Sequence, residues 1–247
     1  MAKLVKVDDG LEMYTASTID ARMLYREIFT YNGYGELSLP PRPYVVDVGA
    51  NIGVFLLRVT RAFPDAEVLA FEPMPKLAET VRRNIDLHRL TDVTFHEVAL
   101  GDHDQRDVSF TFYPMLPSSS TRYPQRQEQL KAVMGRTFPA RVLDRMYQGQ
   151  EVTMDVARLS SFLADDRAVD LLKVDTSGSE LEVLGGIDEQ HWPLIRRVLL
   201  DVQDQHGRID AVSEALAVRG LHVDVRPAPM AQGDGLNYVI TATRGEG

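Results

Sequence analysis

Between Tyr44 and Val98, three short apolar runs alternate with two helical stretches. The runs are Tyr44–Val48, Glu67–Phe71 and residues 93–98, and the helical stretches are residues 52–63 and 75–88. A run of about five apolar residues reads as a strand buried on both faces. Strands alternating with helices at this spacing are parallel neighbours joined by crossover connections. The winding resumes with a strand at 170–174, a helix at 179–186, a strand at 198–202 and a helix at 209–219. Two closing strands, 221–225 and 237–241, are expected to be antiparallel. The pattern predicts a Rossmann-like, doubly wound α/β domain on a mostly parallel seven-stranded sheet.

Two segments lie outside this rhythm. Residues 1–43 are expected to form an N-terminal helical cap. Ile19, Met23, Ile28 and Phe29 fall at helical spacing, with Ser17 or Thr18 as N-cap, and a loop rich in glycine and proline follows. The domain proper then runs over 44–247. Residues 108–112 alternate like a strand or hairpin arm. Residues 113–141 are proline-broken and polar, with no clear strand, and a short helix is expected around 127–134. Such an insert is expected to be a lid over the second substrate.

Composition excludes several classes. Lys plus Arg is 27 against 36 for Asp plus Glu, a formal net charge of −9. That balance argues against nucleic acid or an anionic membrane surface as the main partner. The chain has no cysteine, so disulfides, thiolate metal sites and a cysteine nucleophile are excluded. The first ten residues lack a signal-peptide core, and no apolar run is long enough to span a bilayer. The expectation is a cytoplasmic protein.

The most informative motif joins the first strand to the first helix: Val45-Val46-Asp47-Val48-Gly49-Ala50-Asn51-Ile52-Gly53. Glycine at 49 and 53 permits a tight turn against which a ligand can lie. A dinucleotide fingerprint needs glycines at 49, 51 and 54, but positions 51 and 54 are Asn51 and Val54. Asp47 also puts negative charge where a pyrophosphate would sit. The charge suits a cation, a sulfonium with a free amino group, and so points to S-adenosylmethionine. Glu72, ending the second strand in Phe71-Glu72-Pro73, can accept hydrogen bonds from both ribose hydroxyls. Glu97, Val98 and Ala99 stand at the end of the third strand, where an adenine is expected with His96 beside it. Asp175 ends the next strand.

These residues resemble the FkbM-type methyltransferases. The resemblance rests on the stretches 46–53, 71–73, 99–102, 172–175, 179–181 and 192–196, and on Tyr25-Arg26-Glu27-Ile28-Phe29 ahead of the domain. It implies methyl transfer from S-adenosylmethionine, usually to a hydroxyl oxygen. It also implies a polyketide or peptide natural product as acceptor, free or held on a carrier protein within a synthase assembly line. Ser177 and Gln203 stand where members of this group often carry glutamate and histidine, and Asp201 where they carry glutamate.

For proton removal the expected segment is 201–206, a loop leaving a sheet strand at its ligand-binding end. It supplies His206 as candidate base, with Asp201 and Gln203 facing one side of the strand. Asp175, Asp201 and Asp204 offer oxygen ligands, but no histidine–carboxylate pair has a metal-ligand spacing, so no metal is expected. The rival readings are a non-catalytic S-adenosylmethionine-binding domain and an enzyme of this fold that performs N-methylation or a cyclisation.

Overall fold

The structure, a computed structural model, describes residues 2–8, 10–135, 138–229 and 237–245, with only the backbone of Gln129. Residues 136 and 137 of the expected lid and 230–236 of the expected domain lie outside the described residues.

The chain opens with a hairpin, β1 (Lys3–Asp8) paired antiparallel with β2 (Leu11–Thr15). This departs from the all-helical cap expected for residues 1–43. Leu11 and Met13 alternate inward and are buried, so a period of two governs this segment. Helix α1 (Thr18–Tyr25) follows, capped by the Ser17 side chain on the Asp20 amide. It continues into one wide turn, Arg26–Thr30, closed by the Tyr31 amide on the Arg26 carbonyl.

The winding then runs β3 (Tyr44–Val48), α2 (Val54–Ala62), β4 (Glu67–Phe71), α3 (Pro75–His88) and β5 (Val93–His96). Next come β6 (Ala99–Gly101), β7 (Gln105–Phe112), α4 (Gln127–Met134), α5 (Ala140–Met146) and β8 (Gln150–Arg158). The domain closes with β9 (Leu171–Val174), α6 (Glu180–Gly185), β10 (Arg197–Gln203), α7 (Arg208–Ala217), β11 (Leu221–Pro227) and β12 (Asn237–Arg244). The main sheet has seven strands in the order β11-β12-β10-β9-β3-β4-β5, and β12 runs antiparallel to both its neighbours. A second sheet, β6-β8-β7, stands beside it. The sequence signalled β7 but not its partner β8, a half-exposed strand that opens on the exposed pair Gln150 and Glu151 and turns only Val152, Met154 and Val156 inward.

Strict alternation divides the core between the two faces of the main sheet. Val45, Ala70, Leu171 and Leu199 pack with α2, α3, α1 and the hairpin. Val46, Leu69, Leu172 and Leu200 pack on the other face with α6, α7 and Trp192. Residues 1–43 thus share one core with the sheet. Strand order reverses at β3, which pairs in parallel with both β4 and β9. Ligands in open α/β sheets bind beyond the strand ends at such a switch point.

Candidate active site where two clefts meet

A cleft opens at the carboxyl ends of β3, β4 and β9. Gly49, Ala50 and Asn51 form its floor, Glu72 and Pro73 one wall, and Val98, Ala99 and Leu100 another. Glu72 is fixed by two backbone amides. Asn51 N–H donates to Oε2 and Met74 N–H to Oε1, each at 2.9 Å. Burial pushes its carboxyl up to about 7, although these amides pull the other way. The Asn51 Oδ1 is sealed from solvent and has no hydrogen-bond partner among the described residues.

Gly49 meets a further demand beside the one its motif suggested. Its φ is +82°, and a Cβ there would lie 1.8 Å from the Asp175 carbonyl oxygen. The bare Cα lets the β3 turn abut the end of β9. Gly53, at φ +86°, precedes α2 and does not line the cleft.

Three donor-side expectations need correction. Asp47 is fully buried and faces Lys173, whose Nζ lies 3.0 Å from Asp47 Oδ1 and donates to the Gly49 carbonyl at 2.7 Å. Its charge is therefore matched inside the protein and not presented to a ligand. Burial opposes the charge on Lys173, but Asp47 and Asp175 outweigh it and hold the amine above its ordinary value. Glu97 points away, pairing with Arg82 at 2.7 Å, because neighbouring Val98 takes the inward position. His96 stacks on Phe71, with centroids 5.4 Å apart, and does not line the cleft.

A second cleft adjoins the first. Ser118, Asp175, Ser177 and Leu24 line both. The second cleft is otherwise walled by Asp20, Glu27, Glu180, Asp201 and Gln203, with Leu130 and Met134 from the inserted segment and Tyr147 from the end of α5. Asp175 is oriented by Tyr34, whose hydroxyl donates to its Oδ2 at 2.9 Å. Burial, then the negative charge of Asp175, pushes the Tyr34 phenol well above its ordinary value.

The inserted segment is tied down at this junction. The Ser177 hydroxyl donates to the Ser118 carbonyl at 2.9 Å, the Thr121 hydroxyl to the Ser177 carbonyl at 2.7 Å, and the Ser118 hydroxyl to Asp20 at 2.7 Å. The Arg126 guanidinium bonds the Gly178 carbonyl. Helix α4 occupies residues 127–134, as expected.

The acceptor-side expectations divide. Asp201 and Gln203, alternate residues of β10, both line the second cleft. His206 does not. It is exposed, at φ +58°, and turns out of the loop ahead of α7. Glu27 was not singled out as a site residue. The wide turn after α1 brings it into the second cleft, and the signal was its place within Tyr25-Arg26-Glu27-Ile28-Phe29.

A cleft at the switch point, an acidic anchor at the end of β4 and a second cleft opening onto it define a methyltransferase of the Rossmann-like class. The Methyltransferase FkbM domain profile matches residues 47–226. Methyltransferase 1 of Beauveria bassiana (strain ARSEF 2860) is 34% identical over 250 residues, covering 99% of both chains. The 31-O-demethyl-FK506 methyltransferase FkbM of Streptomyces tacrolimicus is 32% identical over 260 residues, covering 97% of this chain and 96% of that one. Methyltransferase sdnD of Sordaria araneosa is 35% identical over 227 residues, 87% of each. The chain belongs to the FkbM methyltransferase family. Among solved structures, the FkbM methyltransferase of Methylobacillus flagellatus KT shares the fold, with a TM-score of 0.58 and 17% identity, over 89% of this chain and about half (47%) of that one. Among the described residues, no helix is long and apolar enough to cross a membrane.

Proposed function

We propose that the protein transfers a methyl group from S-adenosylmethionine to a hydroxyl oxygen of a polyketide or peptide intermediate, free or held by a carrier protein. The observation that carries this reading is Asp175, the one ionisable side chain among the described residues to line both clefts. The residues of the first cleft suit the donor. Glu72 retains lone pairs for the ribose hydroxyls, and Val98, Ala99 and Leu100 offer an apolar wall to the adenine. When bound, S-adenosylmethionine supplies an electrophilic methyl group.

The acceptor hydroxyl enters through the second cleft and reaches the junction at Asp175. Tyr34 leaves one Asp175 oxygen free to take the hydroxyl proton as the oxygen is methylated. The Ser118 and Thr121 contacts hold the inserted segment against this point. The relative that methylates 31-O-demethyl-FK506 is named for an oxygen acceptor, which supports oxygen here.

The test is Asp175→Asn, assayed with the native acceptor. Turnover should fall by roughly 10²- to 10⁴-fold with donor affinity preserved, and NMR of the wild-type product should place the methyl on oxygen. A variant retaining more than a tenth of the rate would remove Asp175 from the role of base. A product methylated on nitrogen or carbon would overturn the oxygen acceptor.

A further inference from the structure

Resting on the transfer reading above, we propose that the acceptor carries a protonated amine, held by Glu27 and Asp201 in the part of the second cleft that the donor cleft does not share. Five carboxylates line this cleft, and among the described residues lining it there is no Lys, Arg or His. Three are answered from within the protein. Tyr34 donates to Asp175, Ser118 donates to Asp20, and Arg208 binds Glu180 at 3.0 Å. Glu27 and Asp201 have no hydrogen-bond or ion-pair partner among the described residues, and neither is sealed from the cavity.

The nearby cations are already committed. Lys173 holds Asp47 and the Gly49 carbonyl, and Arg208 spans Glu180, Glu182 and the Gly178 carbonyl. Burial, and then the Asp175 charge, pushes the Glu27 carboxyl up to about 7 and the Asp201 carboxyl well above its ordinary value. A neutral acceptor would leave these two acids desolvated beside Asp175 and Glu180. An ammonium brings both the missing charge and up to three N–H donors. A metal ion is the other cation to consider, but no three acidic or histidine side chains among the described residues are disposed to hold one. The donor's own positive charge belongs to the first cleft, where Asp175 is the shared carboxylate.

The test is calorimetry with two probes of matched shape, phenethylamine and phenethyl alcohol, at pH 8. The protein is saturated with S-adenosylhomocysteine, whose uncharged thioether removes the sulfonium from the comparison. The amine should bind at least tenfold more tightly than the alcohol, and Glu27→Gln and Asp201→Asn should each remove most of that preference. Amine binding should also release protons, read from buffers of different ionisation enthalpy. Equal binding of the two probes, or binding of neither, overturns the amine. The comparison needs no variant, so a misfolded mutant cannot obscure it. Titration with S-adenosylhomocysteine in the same instrument tests the donor reading separately, and if that fails the probes are compared on the free protein.

Discussion

Asp47 of β3 and Lys173 of β9 are register partners on adjacent parallel strands, with Nζ 3.0 Å from Oδ1 and neither side chain more than 3% exposed. They form an ion pair beneath the donor turn, and Lys173 extends it to the Gly49 carbonyl. Breaking a buried pair from one side leaves an uncompensated charge, at a cost of about 3–5 kcal/mol. Lys173→Met should therefore lower the urea midpoint sharply. Combining it with Asp47→Leu should recover most of the loss. A double variant as unstable as the single one would mean that the pair is needed for the shape of the turn.

Glu72 should govern donor affinity and its pH dependence. Glu72→Ala removes a charged acceptor worth roughly 1.5–3 kcal/mol per hydrogen bond, or about 10- to 150-fold in affinity. The free carboxyl titrates near 7, and ribose hydroxyls favour its charged form. Binding therefore releases a proton. Affinity should rise with pH up to about 7 and level off above it. Calorimetry across pH 5.5–8.5 checks this, and Glu72→Gln should flatten the profile.

The free protein should lose stability as pH rises through the weakly acidic range. Glu27 and Glu72 both have folded values of about 7, above the ordinary 4.5. Between those two values the folded state holds protons that the unfolded state has released, so stability falls with rising pH. The contribution is fully present below about 4.5 and is lost by about 7. Thermal melts from pH 5 to 8 should show this slope, and Glu27→Gln with Glu72→Gln should diminish it.

Gly49→Ala should damage both clefts at once. The new Cβ would meet the Asp175 carbonyl at 1.8 Å, at a φ that side chains rarely adopt. Overpacking and left-handed strain together cost about 2–5 kcal/mol. Melting temperature and S-adenosylhomocysteine affinity should drop together. A stable variant with wild-type affinity would place the strand ends farther apart than described here.

Hydrogen exchange should separate the inserted segment from its anchors. The amides of α4 should exchange faster in Arg126→Ala, which loses the contact with Gly178. The main-sheet strands should be unaffected.

The middle of the sheet was legible because the buried parallel strands β3, β4, β9 and β10 carry near-continuous apolar runs, and the edge strand β11 was legible from its alternation. The positions of Glu72, Val98 and Ala99 on the wall of the first cleft were legible, since they stand at strand ends beside the switch point. Side-chain direction was less so. Asp47 and Glu97 sit one residue from positions that face the cleft, and alternation sends them elsewhere. His206 drew attention as a titratable residue near a strand end, but a left-handed turn carries it outward. Glu27 lay hidden because a wide helical turn shifts the face that a regular helix would present.

Asn84 of α3, fully buried, accepts from the Tyr14 amide and donates to the carbonyls of Tyr14 and Ile52. One side chain thus fastens the opening hairpin to the start of the donor loop. For anyone engineering this enzyme, the first fifteen residues are not a disposable leader. Trimming them, or swapping the segment between relatives, would strand the buried Asn84 amide, whose bond to Ile52 lies one residue from Glu72's own tether at Asn51, and register as weakened nucleoside recognition. The practical boundary of a graftable unit lies ahead of the hairpin, not at the first strand of the sheet.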